Sequence, residues 1–288
     1  MNTSFSAPAF STVAIVGVGL IGGSIASSLM RAGQVRVLGV GRDAERLQSA
    51  CDRGLLHAST TDLAAAGREA DLIVFCTPVD RIVSGVREVA AVCRPGTLLT
   101  DVGSAKGAIC RALEQGLPDS VEFLGSHPMA GSEKQGFEHA SPKLFDGRLC
   151  LITPVPSSTT SAKERLRRFW EQLGARVSEM TPEDHDRAVA EASHLPHLLA
   201  ATIASTLQPA HRHVAATGFR DMTRIAGGDP DLWTAILLEN AEAVLSSLNR
   251  QQQLAREFAE ALSRGDATTV RRLLADGQAA RNAVLNQS

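Results

Sequence analysis

The chain has 288 residues, a length that suits two domains at about 150 residues each. With 44% hydrophobic and 21% charged residues and 29 Lys+Arg against 31 Asp+Glu, its net charge of −2 is that of a globular protein and argues against a basic nucleic-acid binder. Nine Phe, two Trp and no Tyr leave few rings for stacking bases or sugars, and no run approaches the roughly 18 apolar residues that a membrane span needs. Cys51, Cys76, Cys93, Cys110 and Cys150 are widely spaced with no C-x-x-C pair, which reads as free thiols. The first eleven residues carry neither a basic stretch nor an apolar one, so a cytoplasmic location is expected.

In chain order, short β-branched apolar runs alternate with amphipathic stretches, the pattern of parallel strands joined by crossover helices. Strands are predicted at 12–17, 35–40, 72–76, 97–102, 121–126 and 149–153, with helices such as 21–31 and 43–53 between them. VAIVG, DLIVFC and TLLTDV carry apolar runs without period-two alternation, as strands buried on both faces should. The Pro/Ser/Thr-rich segment 154–161 marks a boundary, followed by a helix at 162–173 and a short strand at 176–179. Thr181-Pro182-Glu183-Asp184 has the capping residue, the first-turn proline and the early acids of a helix start, and Asp229-Pro230-Asp231 opens another. The fold class expected is α/β: a Rossmann-type doubly wound parallel sheet followed by an all-helical C-terminal domain. The division expected is 11–160 and 161–288.

The first strand runs directly into Gly17-Val18-Gly19-Leu20-Ile21-Gly22, a G-x-G-x-x-G at the start of a helix. Gly17 permits the tight turn, Gly19 lets backbone approach a pyrophosphate and Gly22 allows close helix packing, while Leu20 and Ile21 lie in the turn whose N–H groups face the phosphates. The second strand ends Val40-Gly41-Arg42-Asp43. A carboxylate at the strand end would bond the ribose 2′-OH of NAD; Gly41 followed by the guanidinium of Arg42 favours NADP instead. Asp43 either caps the next helix or takes the ribose itself. Further polar residues fall at expected strand ends: Thr77 and Pro78, Ser104, and the block Gly125-Ser126-His127-Pro128-Met129-Ala130-Gly131-Ser132-Glu133-Lys134-Gln135-Gly136.

That block, with His194-Leu195-Pro196-His197 and Asp221-Met222-Thr223-Arg224-Ile225-Ala226, resembles the prephenate/arogenate (cyclohexadienyl) dehydrogenase family of tyrosine biosynthesis, over about residues 13–248. The resemblance implies NADP- or NAD-dependent oxidative decarboxylation of prephenate, arogenate or both. It implies His127 as the base for the alcohol proton, and Ser104 as its orienting neighbour close to the nicotinamide. It further implies Arg224 on the ring carboxylate, His197 near the side-chain carboxylate, Ser132 as a further contact and Glu133 at the pocket mouth. It implies nucleotide binding for 11–160 and substrate binding and dimerisation for 161–288, the partners being the small-molecule substrate and a second copy of the chain in a homodimer, with no nucleic acid and no membrane. His194 and His197 lack a third ligand at convincing spacing, so no metal site is expected. Lys106 has no assigned role, and His57, His139, His185, His211 and His213 read as structural or solvated. The alternatives are another two-domain dehydrogenase of the 3-hydroxyacid or imine-reductase type, or a sensor that binds NADP without turnover.

Overall fold

The computed structural model describes residues 8–131 and 134–286. Its first part alternates β1 (Thr12–Val16), α1 (Leu20–Ala32), β2 (Arg36–Val40), α2 (Ala44–Asp52), β3 (Ala58–Thr60), α3 (Leu63–Gly67), β4 (Leu72–Phe75), α4 (Val79–Ala90), β5 (Leu98–Asp101), α5 (Gly107–Leu113) and β6 (Glu122–Phe123). The six strands form one parallel sheet in the order β3-β2-β1-β4-β5-β6. Strand order reverses beside β1, and ligands of such sheets bind at the carboxyl ends of the strands there.

The unbroken apolar strands are divided between two cores. Val13, Ile15, Leu72 and Val74 face Ile25 and Leu29, whereas Ala14, Val16, Ile73 and Phe75 face Ile82, Val86 and Ile109. Each such aliphatic side chain, fully withdrawn from water, contributes about 1.5–3 kcal/mol. The three-residue β3 escapes a periodicity reading because Ala58-Ser59-Thr60 has neither length nor apolar character; it is held by Leu38↔Ala58 to Val40↔Thr60 pairing.

The single strand expected at 121–126 is two strands in two sheets. β6 ends the parallel sheet, and β7 (Gly125–Pro128) leaves it to run antiparallel to β8 (Leu149–Thr153), which pairs in parallel with β9 (Arg176–Glu179). The switch comes at Gly125, where a Cβ would stand 2.5 Å from Thr153 Oγ1. Apolar patterning reports burial, not the sheet that receives the strand. Between β8 and β9, α6 (Thr160–Gln172) is capped by Thr159, and its Leu166, Phe169 and Trp170 join the first core.

From Thr181 the structure is helical: α7 (Pro182–Val189), a π-helical turn Ala190–His194, α8 (Leu195–Thr206), α9 (Thr217–Thr223) and α10 (Pro230–Glu239). The Thr181 hydroxyl accepts from the Asp184 N–H and the Asp229 carboxylate from that of Asp231, the two helix starts legible in the sequence. Ile236 of α10 packs into the second core with Val79 and Ile82 of α4.

The chain divides into two compact units, Met1–Asn240 and Ala241–Ser288. The second is a pair of helices, α11 (Ala241–Ser263) and α12 (Ala267–Leu285), in which Asp266 caps α12 through the Thr269 N–H and Arg272 pairs with Glu257 and Asp276. Leu245, Leu254, Leu262, Leu274 and Leu285 of this unit are each more than half exposed. Among the described residues no helix is long and apolar enough to cross a membrane, and all five cysteines are free.

Candidate active site

The cofactor end fits a dinucleotide on geometric grounds. Gly17 has φ +95°, and a Cβ there would lie 2.8 Å from the Cys76 carbonyl oxygen. A Cβ at Gly22 would approach the Gly17 oxygen to 2.2 Å and Ile15 Cγ2 to 2.9 Å, so α1 could not otherwise sit on β1. Above Gly19, by contrast, nothing lies within 4 Å of an added Cβ. Gly19 begins α1 without a side-chain cap and no acid stands in the first turn, leaving the N–H groups around Leu20 and Ile21 to an external anion. Just past the neighbouring β4 the Thr77 hydroxyl is buried without a hydrogen-bond partner among the described residues, and Pro78 starts α4. At the end of β2, Asp43 accepts from the Arg46 N–H at 3.0 Å as the cap of α2. Gly41 has only Leu47 nearby, at 3.5 Å or more from an added Cβ, and Arg42 is exposed.

The catalytic candidates gather at β5, α5, β7 and α7. His127 sits at the third position of β7, buried, with Nδ1 2.9 Å from His185 Nε2. His185 in turn puts Nδ1 2.9 Å from Asp186 Oδ1. The Asp186 carboxylate accepts the N–H groups of Lys106 and Gly107, both at 2.8 Å. Beside this chain of contacts, Lys106 and Asp101 form an ion pair at 0% exposure on both side chains. Asp101 also accepts the N–H groups of Gly103 at 2.8 Å and Ser126 at 3.3 Å. Ser126 Oγ donates to the Asp101 carbonyl at 2.6 Å and accepts Trp170 Nε1–H at 3.1 Å, which fixes the strand just before His127.

Burial pushes the His127 imidazole well below its ordinary range, and the neighbouring His185, Lys106 and His194 act in the same direction. Burial lowers His185 too, against the opposing pull of Asp186. Burial alone would raise Asp186, but the bonds it accepts from His185, Lys106 and Gly107 outweigh that and hold it below the usual carboxylate range. The resulting state is a neutral His127 beside an ionised Asp186, with His185 between them.

A second group lines the helical side. The π-helical turn ends at His194, just before Pro196 in the first turn of α8; the missing proline N–H and the wide turn are linked features of a helix re-aimed at a site. His197 stacks on Trp233, ring centroids 3.5 Å apart and 12° from parallel. His194 meets Trp233 edge-on, and its Nδ1 lies 3.1 Å from the side-chain amide of Asn240, which also donates to the Asp186 carbonyl at 2.9 Å. His194 Nε2 and His197 Nδ1 are buried without partners among the described residues. Burial drives His194 down to about 4, although Asp186 opposes it, and lowers His197 as well. A 3-10 turn, Arg224–Gly227, leaves Arg224 exposed, and Gly228 just after it would bring a Cβ within 3.0 Å of His197 Cε1 and 2.6 Å of Trp233 Nε1. Gln135, in the glycine-rich block after β7, donates to Asp229 at 2.8 Å and ties that block to α10.

Of the expected residues, Gly17, Gly19, Leu20, Ile21, Gly22, Thr77 and Pro78 thus lie together at the ends of β1 and β4, and His197 adjoins the Arg224 turn. Ser104 lies half-buried in the turn after β5, and no hydrogen bond joins it to His127; the ring is held by His185 instead. Ser132 and Glu133 lie outside the described residues. His185, read from sequence as structural or solvated, is fully buried against His127, and Lys106, given no role from sequence, is buried with Asp101 at the start of α5. Asp101, Asp186, Asn240 and Trp233 join the site with no motif to announce them; the adjacent His185-Asp186 pair just after the Thr181 helix start was the one available signal. Among the described residues no group of three or more His, Cys, Asp or Glu side chains is arranged to hold a metal ion.

The family model "Prephenate dehydrogenase, nucleotide-binding domain" matches residues 25–179, and "Prephenate dehydrogenase, dimerization domain" matches 181–276. A prephenate dehydrogenase of Bacillus subtilis (strain 168) is 34% identical over 81% of this chain, which spans 65% of that protein's length. A cyclohexadienyl dehydrogenase of Zymomonas mobilis is 32% identical over 83% of this chain and 84% of its own length. The crystal structure of prephenate dehydrogenase from A. aeolicus in complex with hydroxyphenyl propionate and NAD+ is 30% identical, with TM-score 0.89, covering 98% of this chain and all of that one. With its glycine turn, its histidine at the end of β7 and both domain matches, the chain belongs to the prephenate dehydrogenase family.

Proposed function

We propose that the chain is an NAD(P)-dependent dehydrogenase that oxidatively decarboxylates prephenate, arogenate or both, with His127 as the base. The observation that carries this reading is the buried His127–His185–Asp186 chain of hydrogen bonds at the carboxyl side of a sheet whose first strand ends in the glycine turn. A bound nicotinamide would accept the hydride. His127 takes the hydroxyl proton at Nε2 and returns it to the same oxygen once loss of CO2 has made the ring a phenolate, giving the phenol. Arg224 supplies the paired donors for the ring carboxylate, and the stacked His197 lies towards the side-chain carboxylate. Ser104 is assigned to the nicotinamide side of the base, with Ser132 and Glu133 as further substrate contacts.

NADP is the preferred cofactor in this proposal. The carboxylate of Asp43 is already used as a helix cap, so the strand end offers a 2′-phosphate an unobstructed Gly41 and the Arg42 guanidinium. A homodimer fits the exposed leucines of the α11–α12 pair, and the proposed division of labour assigns 11–160 to the nucleotide and 161–288 to substrate and dimer contacts. A cytoplasmic location accompanies the five free thiols. Assay of prephenate or arogenate with NAD or NADP, following reduced-nicotinamide absorbance, tests the proposal: turnover with at least one pair is expected, and silence in all four overturns it.

A further inference from the structure

We propose that His185 and Asp186 are positioning residues that lock His127 in its Nδ1–H tautomer, so that the base always presents a bare Nε2. The proposal rests on the reading of His127 as the base and adds what keeps it competent. The argument follows the donors and acceptors from the far end. An ionised Asp186 only accepts, and its two oxygens already receive the Lys106 and Gly107 N–H groups at 2.8 Å. The ring nitrogen facing it at 2.9 Å, His185 Nδ1, must therefore carry the hydrogen. A neutral His185 then has a lone pair on Nε2, and the nitrogen 2.9 Å away, His127 Nδ1, must donate to it. His127 Nε2 is left without a hydrogen. The opposite tautomer of His127 would set two lone pairs against each other inside a buried contact, at the cost of an unmade hydrogen bond.

The relay is held from both ends. Asn240 Nδ2 bonds the Asp186 carbonyl at 2.9 Å and anchors α7, while Asp186 reaches 80 residues back in the chain to the start of α5. Among the described residues, the titratable and charged groups around His127 come from four elements: His185 and Asp186 from α7, Asp101 from the end of β5, Lys106 from the start of α5, and His194 from the π-helical turn. Of these, only His185 touches a ring nitrogen of His127.

The test uses the full chain labelled with 15N-histidine, with His127 assigned by its loss in His127→Asn. Long-range 15N–1H correlation at neutral pH is expected to find His127 as the Nδ1–H tautomer; finding the Nε2–H tautomer overturns the proposal. Asp186→Asn, whose amide can donate to His185 and reverse the relay, should shift His127 towards Nε2–H and lower kcat by about 10²- to 10⁴-fold, with substrate KM and the dissociation constant of NAD(P) within about threefold. His185→Phe should lower kcat similarly. His185→Gln can both accept from His127 and donate to Asp186, so it should recover kcat to within about tenfold of the parent. A kcat unaffected by His185→Phe, or equal losses in the Gln and Phe variants, overturns the relay. If the Phe variant does not fold, the tautomer shift in Asp186→Asn decides. Near-parental kcat in His127→Asn would instead overturn His127 as the base, a failure the tautomer spectrum does not register.

Discussion

Lys106 and Asp101 pair in the interior at the carboxyl end of β5, both side chains withdrawn completely from solvent. A buried ion pair is costly to break from one side because the remaining charge keeps its desolvation penalty without its partner. Lys106→Met should therefore destabilise the fold by about 3–5 kcal/mol, read from the urea midpoint. Removing the carboxylate as well, in Lys106→Met/Asp101→Asn, should recover part of the loss; additive losses would show that the charges do not compensate each other.

His127→Asn should lower kcat by about 10²- to 10⁴-fold while leaving NAD(P) affinity intact, because the glycine turn and Thr77 follow β1 and β4 rather than β7. Steady-state kinetics paired with calorimetric cofactor titration separates the two effects. Turnover close to the parent would move the base elsewhere.

Arg224→Ala should raise KM chiefly, since a carboxylate anchor serves ground and transition states alike. The side chain is exposed and pairs with no group among the described residues, so stability should stay within about 0.5 kcal/mol. An unchanged KM would put the ring carboxylate in another cradle.

At the cofactor end, Arg42→Ala should reduce the ratio of kcat/KM for NADP to that for NAD, and an unchanged ratio would remove Arg42 from the 2′-phosphate. Asp43→Ala has a different expected signature. It loses the cap on the Arg46 N–H, costing about 1 kcal/mol of stability, while cofactor preference holds.

Acid should destabilise the chain earlier than its carboxylates alone would dictate. His194 is pushed from an ordinary 6.5 to about 4 by burial, and His127, His185 and His197 are shifted downward too. With the folded values depressed, the unfolded chain takes up protons first as pH falls. The stability is thus fully present above about 6.5 and lost on the way to about 4; His194 alone corresponds to about 3 kcal/mol over that window. Urea midpoints at pH 7, 5.5 and 4.5 should decline in that order. The same depression lets His127 remain neutral below pH 6.5, so the acid limb of kcat/KM should lie beneath that value.

The sequence by itself determined what depends on neighbours in the chain. The tight turn at Gly17, the close packing at Gly22, the strands buried on both faces and the caps Asp43, Thr181 and Asp229 each follow from a few consecutive residues and local sterics or hydrogen bonding. His127 was legible because its block G-S-H-P-M-A-G resembles a family motif, and Arg224 and His197 for the same reason. Only the tertiary structure decided what His127 touches. Its partner His185 is 58 residues away, and the Asp186 carboxylate is fixed by backbone N–H groups 79 and 80 residues earlier, contacts that no local pattern encodes. They exist because the chain switches sheets at Gly125, pairing β7 with β8 rather than extending β6, and because α5 and α7 then pack with their polar ends together. Apolar periodicity records that a segment is buried; the buried polar contacts, whose donors and acceptors must all be satisfied at once, record where.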